Sequence, residues 1–275
     1  MLRLLKIELQ KYLSYTNFWV IIGLHSSLFI LSLFIGSQIN IDIPGLDFTT
    51  FVQFPTIWNT VSWIASWFNL LLAILLIAFI GNEYSFKTFR QNVIDGLSRS
   101  ELIISKLLVI IVLSIYCFVL VSIVTIAMGL ILSTHYDFSI IFSNAGIMFV
   151  YFIQTIAYMT FGMFLAILVK NTALSIVFYF LYFFPIEPIV RNLFPDQIGM
   201  FFPMKVISNL TPAPEIFNFT GQAQFQTTIN GQIQQQMPTQ LPVEDASMTL
   251  NLIVAIAYIL IFSYGSYFVM KRKSL

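Results

Sequence analysis

The chain has 275 residues, of which 58% are hydrophobic and 9% charged, with mean hydropathy +0.87 and net charge +1. Ordinary soluble domains carry roughly 25% charged residues, so this composition excludes a soluble globular protein and calls for lipid-facing surface. The lone cysteine, Cys117, excludes an intrachain disulfide and reads as a small packing residue.

Residues 2–14 read as an amphipathic interfacial helix, with Leu2, Leu5, Leu9 and Leu13 on one stripe and Arg3, Lys6, Gln10 and Ser14 on another. It is read as such rather than as a signal peptide, because the apolar run that follows is too long and no A-x-A site closes it. A charge costs about 2.5–3.5 kcal/mol at the centre of an inserted helix, so charge-free windows measure the spans. They are 12–41, 48–82, 107–136, 138–169, 171–186 and 246–270. The expected spans are 17–36, 62–81, 101–132, 145–169, 172–190 and 250–270, with a tight Lys170-Asn171 turn between the fourth and fifth. The window 171–186 is short for a bilayer about 30 Å thick. Counting it as a span puts eleven of the thirteen basic residues, all but Arg191 and Lys205, on one side with both termini. The positive-inside rule makes that side cytoplasmic.

His25 lies within the first span and reads as a packed, hydrogen-bonded residue. Trp58, Trp63 and Trp67 cluster at the outer start of the second span, as an interface belt or as the wall of a cavity for an amphipathic ligand. No carboxylate sits at mid-depth in a span, which disfavours ion-coupled transport. No H-E-x-x-H or similar metal cluster occurs, and His135 and Asp137 read as a solvated outer loop.

Between the second and third spans stands GNEYSFKTFRQNVIDGLSRSELIISK, residues 81–106. Gly81, Lys87 and Thr88 match a phosphate-binding loop, but Phe86 fills the second glycine slot and an apolar helix precedes it, not a strand. ATP binding by this chain is therefore excluded. Phe86, Phe89, Val93 and Leu97 recur at helical spacing, opposite Lys87, Arg90, Gln91 and Asp95, which predicts a short surface helix. Gly96 ends it. Ser98 and Glu101 form a capping box for the third span. Arg99 sits in the first turn, where the helix dipole disfavours a cation, so a partner outside the chain is expected: a lipid phosphate or another protein's carboxylate.

In FFPIEP, residues 183–188, two prolines flank Glu187. The fifth span is expected to break there, in the outer leaflet. Phe183, Phe184, Pro185 and Glu187 are candidates for an outer gate; the plainer reading of Glu187 is the end of the span in the headgroup zone. The outer segment 191–249 is expected to hold short re-entrant helices. Residues 222–237 read either as a small, bulged β-hairpin around Asn230-Gly231 or as a flexible low-complexity loop. Asn209 and Asn218 head N-x-[ST] matches, which chance explains as well as glycosylation does.

Glu83 followed by KTFRQNVIDGLSRSELIISKLL, 87–108, resembles the motif of the permease subunits of type-2 ABC exporters. In that family an acidic residue closes the second span. A G-T-x-R-like surface helix, a small-Ser-Arg corner and a K-L-L start of the third span follow. These map onto Glu83, Thr88, Arg90, the Gly96-Leu97-Ser98-Arg99 corner and Lys106-Leu107-Leu108; Lys87 stands where members often carry glycine. The resemblance implies an all-α polytopic membrane protein made of a single permease domain, 1–275. It has an interfacial helix (1–16), six spans, a cytoplasmic coupling segment (82–100) and an extracytoplasmic segment (191–249). It implies partners: P-loop ABC ATPase subunits that bind the ATP and magnesium, a second identical or related permease, and membrane lipid, with no nucleic acid. Glu83, Lys87, Thr88, Arg90, Gly96, Ser98, Arg99, Glu101 and Lys106 would carry ATPase coupling, with no cofactor, metal or catalytic residue in this chain. The location implied is a bacterial cytoplasmic membrane, and the cargo expected from an apolar, aromatic path is hydrophobic or amphipathic: a peptide, lipid or drug-like molecule. The rivals are a non-transporting binding or immunity protein, an intramembrane enzyme using Glu187 or His25, and a secondary transporter.

Overall fold

The computed structural model describes residues 2–38, 51–133, 137–214, 227–229, 232–234 and 247–272. His135, Asn218 and the Asn230-Gly231 pair lie outside the described residues. Helix α1 (Leu2–Ser14) leads into α2 (Thr16–Gln38), then α3 (Ile57–Ser85), the short α4 (Thr88–Ile94) and α5 (Arg99–Leu132). After α6 (Phe138–Phe142) and α7 (Ile147–Val169) comes α8 (Thr172–Leu181), which runs through a π-helical turn (Tyr182–Ile186) into α9 (Glu187–Arg191). Two short helices, α10 (Asp196–Gly199) and α11 (Pro203–Ser208), precede α12 (Met248–Arg272). Thr227–Ile229 pairs antiparallel with Gln232–Gln234, Ile229 opposite Gln232, so these pairs carry no bulge. The rest of the segment 222–237 lies outside the described residues.

Among the described residues six helical stretches are long and apolar enough to cross a membrane: Thr16–Gln38, Ile57–Ser85, Arg99–Leu132, Phe138–Val169, Thr172–Arg191 and Met248–Arg272. The protein is a helical, multi-pass membrane protein. At 1.5 Å per residue the 34-residue α5 reaches about 51 Å, well beyond a hydrocarbon core of about 30 Å.

Helices α3 and α7 form the centre and are buried along their lengths. Where they cross, a Cβ on Gly162 would meet Ile77 and Ala73 at 3.4–3.5 Å. Helices α2, α8 and α12 bury few residues and expose Val20, Phe34, Leu174 and Leu260. Polar groups lie inward instead: Asn69 of α3 accepts from Tyr151 (3.1 Å) and Thr155 (3.3 Å) of α7. Gly81 is required by close approach, because a side chain there would run into Thr172 at the start of α8.

The fifth span does not break at Pro185. Proline lacks an N–H and its ring clashes with the preceding turn. A π-turn widens the helix and absorbs both defects. The Glu187 N–H donates to the Tyr182 carbonyl, and the helix continues to Arg191.

Candidate functional site

The corner between α3 and α5 forms from local backbone chemistry. Phe86 ends α3 and Lys87 follows at φ 57°, the left-handed region. Helix α4 then ends in a Schellman motif: Gly96, at φ 97°, donates to the Val93 carbonyl (3.1 Å) and Leu97 to that of Asn92 (3.0 Å). At the start of α5 the Ser98 hydroxyl accepts from the Glu101 N–H (3.2 Å), and the Glu101 carboxylate accepts from the Ser98 N–H (2.8 Å). The surface helix, its glycine stop and the capping box thus stand as the sequence indicated. The helix is shorter than the stripe suggested, and Phe86 is turned out, 72% exposed. Phe89 alone is fully buried; Val93 and Leu97 are half-buried.

Behind this corner lies a buried ionic cluster. Lys106 of α5, 0% exposed, donates to Glu8 of α1 (2.6 Å) and Glu83 of α3 (2.5 Å). Lys11 donates to the same Glu83 oxygen (2.6 Å) and lies 3.6 Å from Glu8. Two carboxylates and two ammoniums sum to zero. The Tyr12 and Phe89 rings stand 5.9 and 5.5 Å from the Lys106 nitrogen. Phe89 therefore seats α4 directly on the cluster. Burial acts to raise the Glu8 carboxyl, but Lys106 and then Lys11 outweigh it and hold Glu8 below its ordinary 4.5. Burial likewise acts to lower Lys11, and Glu83 and then Glu8 hold it above its ordinary 10.5.

Of the residues singled out from sequence, Glu83 and Lys106 bond directly to each other. Gly96, Ser98 and Glu101 shape the turn. Lys87 and Arg90 are exposed, and Thr88 is half-buried. The partner expected for Arg99 outside the chain is instead inside it. Its guanidinium donates to the carbonyls of Met270 (2.8 Å) and Lys271 (2.6 Å), at the C-terminal end of α12. Those carbonyls lie in the last described turn of α12, towards the negative end of its dipole, which offsets the unfavourable position of Arg99 on α5. Glu8, Lys11 and Tyr12 were missed. The leucine stripe of α1 points to an apolar inner face, yet the buried face centres on Glu8 and Tyr12, while Leu13 is exposed. The available signal was a lone carboxylate three residues before a lysine on a basic helix.

At the opposite end Glu187, 2% exposed, accepts from the N–H groups of Met204 (2.9 Å) and Lys205 (2.7 Å) in the first turn of α11. Gln154 of α7 donates to the Ile207 carbonyl (2.8 Å) at the other end of α11 and accepts from Thr211 (3.0 Å). Tyr258 of α12 donates to the Phe201 carbonyl (2.7 Å). Phe183 packs against Tyr158 with ring centroids 5.8 Å apart, and the half-exposed Phe184 stacks on Phe180 at 6.2 Å. Pro185 lies in the π-turn. Trp58 is no belt residue: it is buried and donates to the Ile141 carbonyl (2.6 Å).

His25 is buried against the Tyr116 hydroxyl (3.2 Å), and Cys117 is a buried free thiol 4.0 Å from it. Among the described residues no three His, Cys, Asp or Glu side chains gather as a metal site would need. No protein-family model matches the chain, and no curated protein matches it either. The geometry at the charged end suits a stiff joint: α4 is anchored from behind, with Phe86 and Ile94 (71% exposed) facing outward beside Lys87 and Arg90.

Proposed function

We propose that this chain is the transmembrane subunit of an ATP-driven exporter of the type-2 ABC class, with the charged end of the bundle in the cytoplasm of a bacterial cell. Helix α4 is its coupling helix, seated in a groove of a separate P-loop ATPase that binds ATP and magnesium. Two permease chains, identical or related, complete the assembly. The cargo is hydrophobic or amphipathic. The observation that carries this reading is the mounting of α4. Its inner face is held by Phe89 over a buried, charge-balanced cluster, and its outer face presents two large apolar side chains with two cations. An apolar pair rimmed by cations suits a protein groove better than solvent. In this reading Glu83 and Lys106 act within the joint, transmitting motion to α1 and α5 without touching the ATPase. Phe183, Phe184, Pro185 and Glu187 act as an outer gate through the position of α11, which Glu187 caps.

The test is co-purification from the native host in mild detergent. Arg99→Glu is a poor probe, because it would break the contact with α12. Phe86→Asp with Ile94→Asp alters only the outward face. A stoichiometric P-loop ATPase that accompanies the wild type and is lost with the double variant is the expected result. Its absence under several mild detergents overturns the exporter and leaves a membrane protein that binds a ligand without transport.

A further inference from the structure

Midway along the first and third spans, two buried side chains face each other that the proposed function leaves unused. His25 of α2 is 1% exposed and Cys117 of α5 is 0% exposed, and the Nε2 of one stands 4.0 Å from the Sγ of the other. The protons around them can be placed one by one. The Ser26 hydroxyl spends its single proton on the Ile22 carbonyl (2.8 Å). The Tyr116 hydroxyl, 2.7 Å from Ser26, is therefore the donor of that pair. With its own proton spent there, Tyr116 accepts from His25 at 3.2 Å, so Nδ1 carries the imidazole proton. Nε2 is left bare, with its lone pair towards the sulfur. A hydrogen bond at the far nitrogen that frees the near one is how ligating histidines are set.

A separation of 4.0 Å is long for a hydrogen bond and suits an ion placed between the two atoms. Metal bonds of about 2.0 Å to nitrogen and 2.3 Å to sulfur add up to about 4.3 Å. A tetrahedral angle at the metal would draw the two atoms in to about 3.6 Å. The observed gap thus favours a wide angle and few ligands. Among the described residues no third His, Cys, Asp or Glu joins the pair. Thiolate is a soft ligand that selects Cu(I), and Cu(I) is satisfied by two ligands nearly in line. Charge gives the same answer. The thiol proton leaves as the sulfur–copper bond forms. A monovalent ion therefore replaces one positive charge with another and keeps the pocket neutral. A divalent ion would strand a net charge at mid-depth, where charge is costly. The ring of Phe68 stands edge-on to the imidazole with centroids 6.5 Å apart and adds to the apolar surroundings.

We infer that His25 and Cys117 form a two-coordinate Cu(I) site between the first and third spans. Bound there, the ion ties α2 to α5. The site does not depend on the exporter reading, because it uses neither α4 nor a partner chain.

The experiment titrates the purified full-length chain in detergent, without oxygen, against Cu(I) held by bicinchoninate, and reads the copper transferred per chain. The expected result is one equivalent for the wild type, with an X-ray absorption spectrum of one nitrogen and one sulfur neighbour. Cys117→Ser and His25→Gln should each weaken uptake about a hundredfold, and Tyr116→Phe, which frees the tautomer, about tenfold. Copper should raise the thermal midpoint of the wild type and leave that of Cys117→Ser unmoved. Monodisperse elution and unchanged helical circular dichroism of the metal-free variants separate lost binding from lost fold. The ten methionines stay in every variant, so stoichiometric uptake that survives Cys117→Ser lies elsewhere and overturns the proposal. No uptake by the wild type overturns it outright. Zinc bound as tightly as Cu(I) overturns the charge argument and the proposal with it.

Discussion

The two ends of this bundle are fastened by different chemistry. At one end α1, α3 and α5 are joined by bonds between oppositely charged side chains, each serving two partners. At the other a short helix is strapped down by side chains bonded to its backbone: Glu187 on its first amides, Gln154 on a late carbonyl, Tyr258 just ahead of it. Removing one member of the ionic cluster strands a full charge in a buried place. Removing one strap strands only dipoles. The first joint is all-or-nothing and the second yields by steps, so the charged end is the stiffer of the two.

The largest expected effect breaks the stiff end. Lys106→Met leaves Glu8 and Glu83 buried with Lys11 as their one remaining cation, at a cost of about 3–5 kcal/mol. Adding Glu8→Gln removes one charge of each sign and leaves the Lys11–Glu83 pair intact, so the double variant should recover a good part of the loss. Thermal midpoints of the detergent-purified proteins decide this. A double variant no better than Lys106→Met alone would show that the four charges do not act as a unit.

The outer strap should cost less. Glu187→Ala leaves the amides of Met204 and Lys205 without their acceptor, a loss of about 1.5–3 kcal/mol for bonds to a charged group. Glu187→Gln keeps one acceptor oxygen and should fall between Ala and wild type. Limited proteolysis within 191–214, read beside the thermal midpoint, locates the damage. Cleavage that is unchanged in the alanine variant would mean that α11 is held chiefly by Gln154 and Tyr258.

The contrast between the two ends also explains what the sequence revealed. The six spans were legible because charge-free length is a local property. The corner at 96–101 was legible because a glycine stop and a capping box each act over a few residues. The partners of the charges were not. Glu83 and Lys106 stood out within one motif, but Glu8 and Lys11 are 72 to 98 residues away from the groups they meet, and a leucine stripe disguised the face of α1 they occupy. Arg99 was recognised as a misplaced cation. Its remedy lies 171 residues further on, in backbone carbonyls that no side-chain pattern announces. Pro185 signalled a break, yet a π-turn gave the helix another way to absorb it.

A pH titration sharpens the comparison, because the outer strap lacks the cluster's paired cations. Glu8 is held below its ordinary 4.5, so its contribution is full above that value and is lost as pH falls through the lower folded value. Lys11 is held above its ordinary 10.5, so its contribution is full below that value and is lost as pH rises through the higher folded value. The thermal midpoint should be flat between about pH 5 and 10 for this pair and fall on both sides. Glu8→Gln should flatten the acid limb and Lys11→Met the alkaline one. If each variant keeps both limbs, the pH dependence originates elsewhere.

The smallest effect concerns two lysines with the same backbone and different surroundings. Lys87 has φ 57° and Lys170 φ 59°, both left-handed. That conformation costs a side-chain-bearing residue roughly 1–2 kcal/mol, while glycine adds about 0.5–1 kcal/mol of chain entropy to be lost on folding. Lys87 is exposed, so Lys87→Gly should gain up to about 1 kcal/mol. Lys170 holds its ammonium 5.4 Å from the centre of the Tyr84 ring, a contact worth about 0.5–1 kcal/mol. Lys170→Gly should therefore come out near neutral. Paired thermal midpoints test the difference. If Lys87→Gly destabilises as much as Lys170→Gly or more, the Lys87 side chain contributes to the fold through more than its backbone, and the outward face of α4 is less free than its exposure implies.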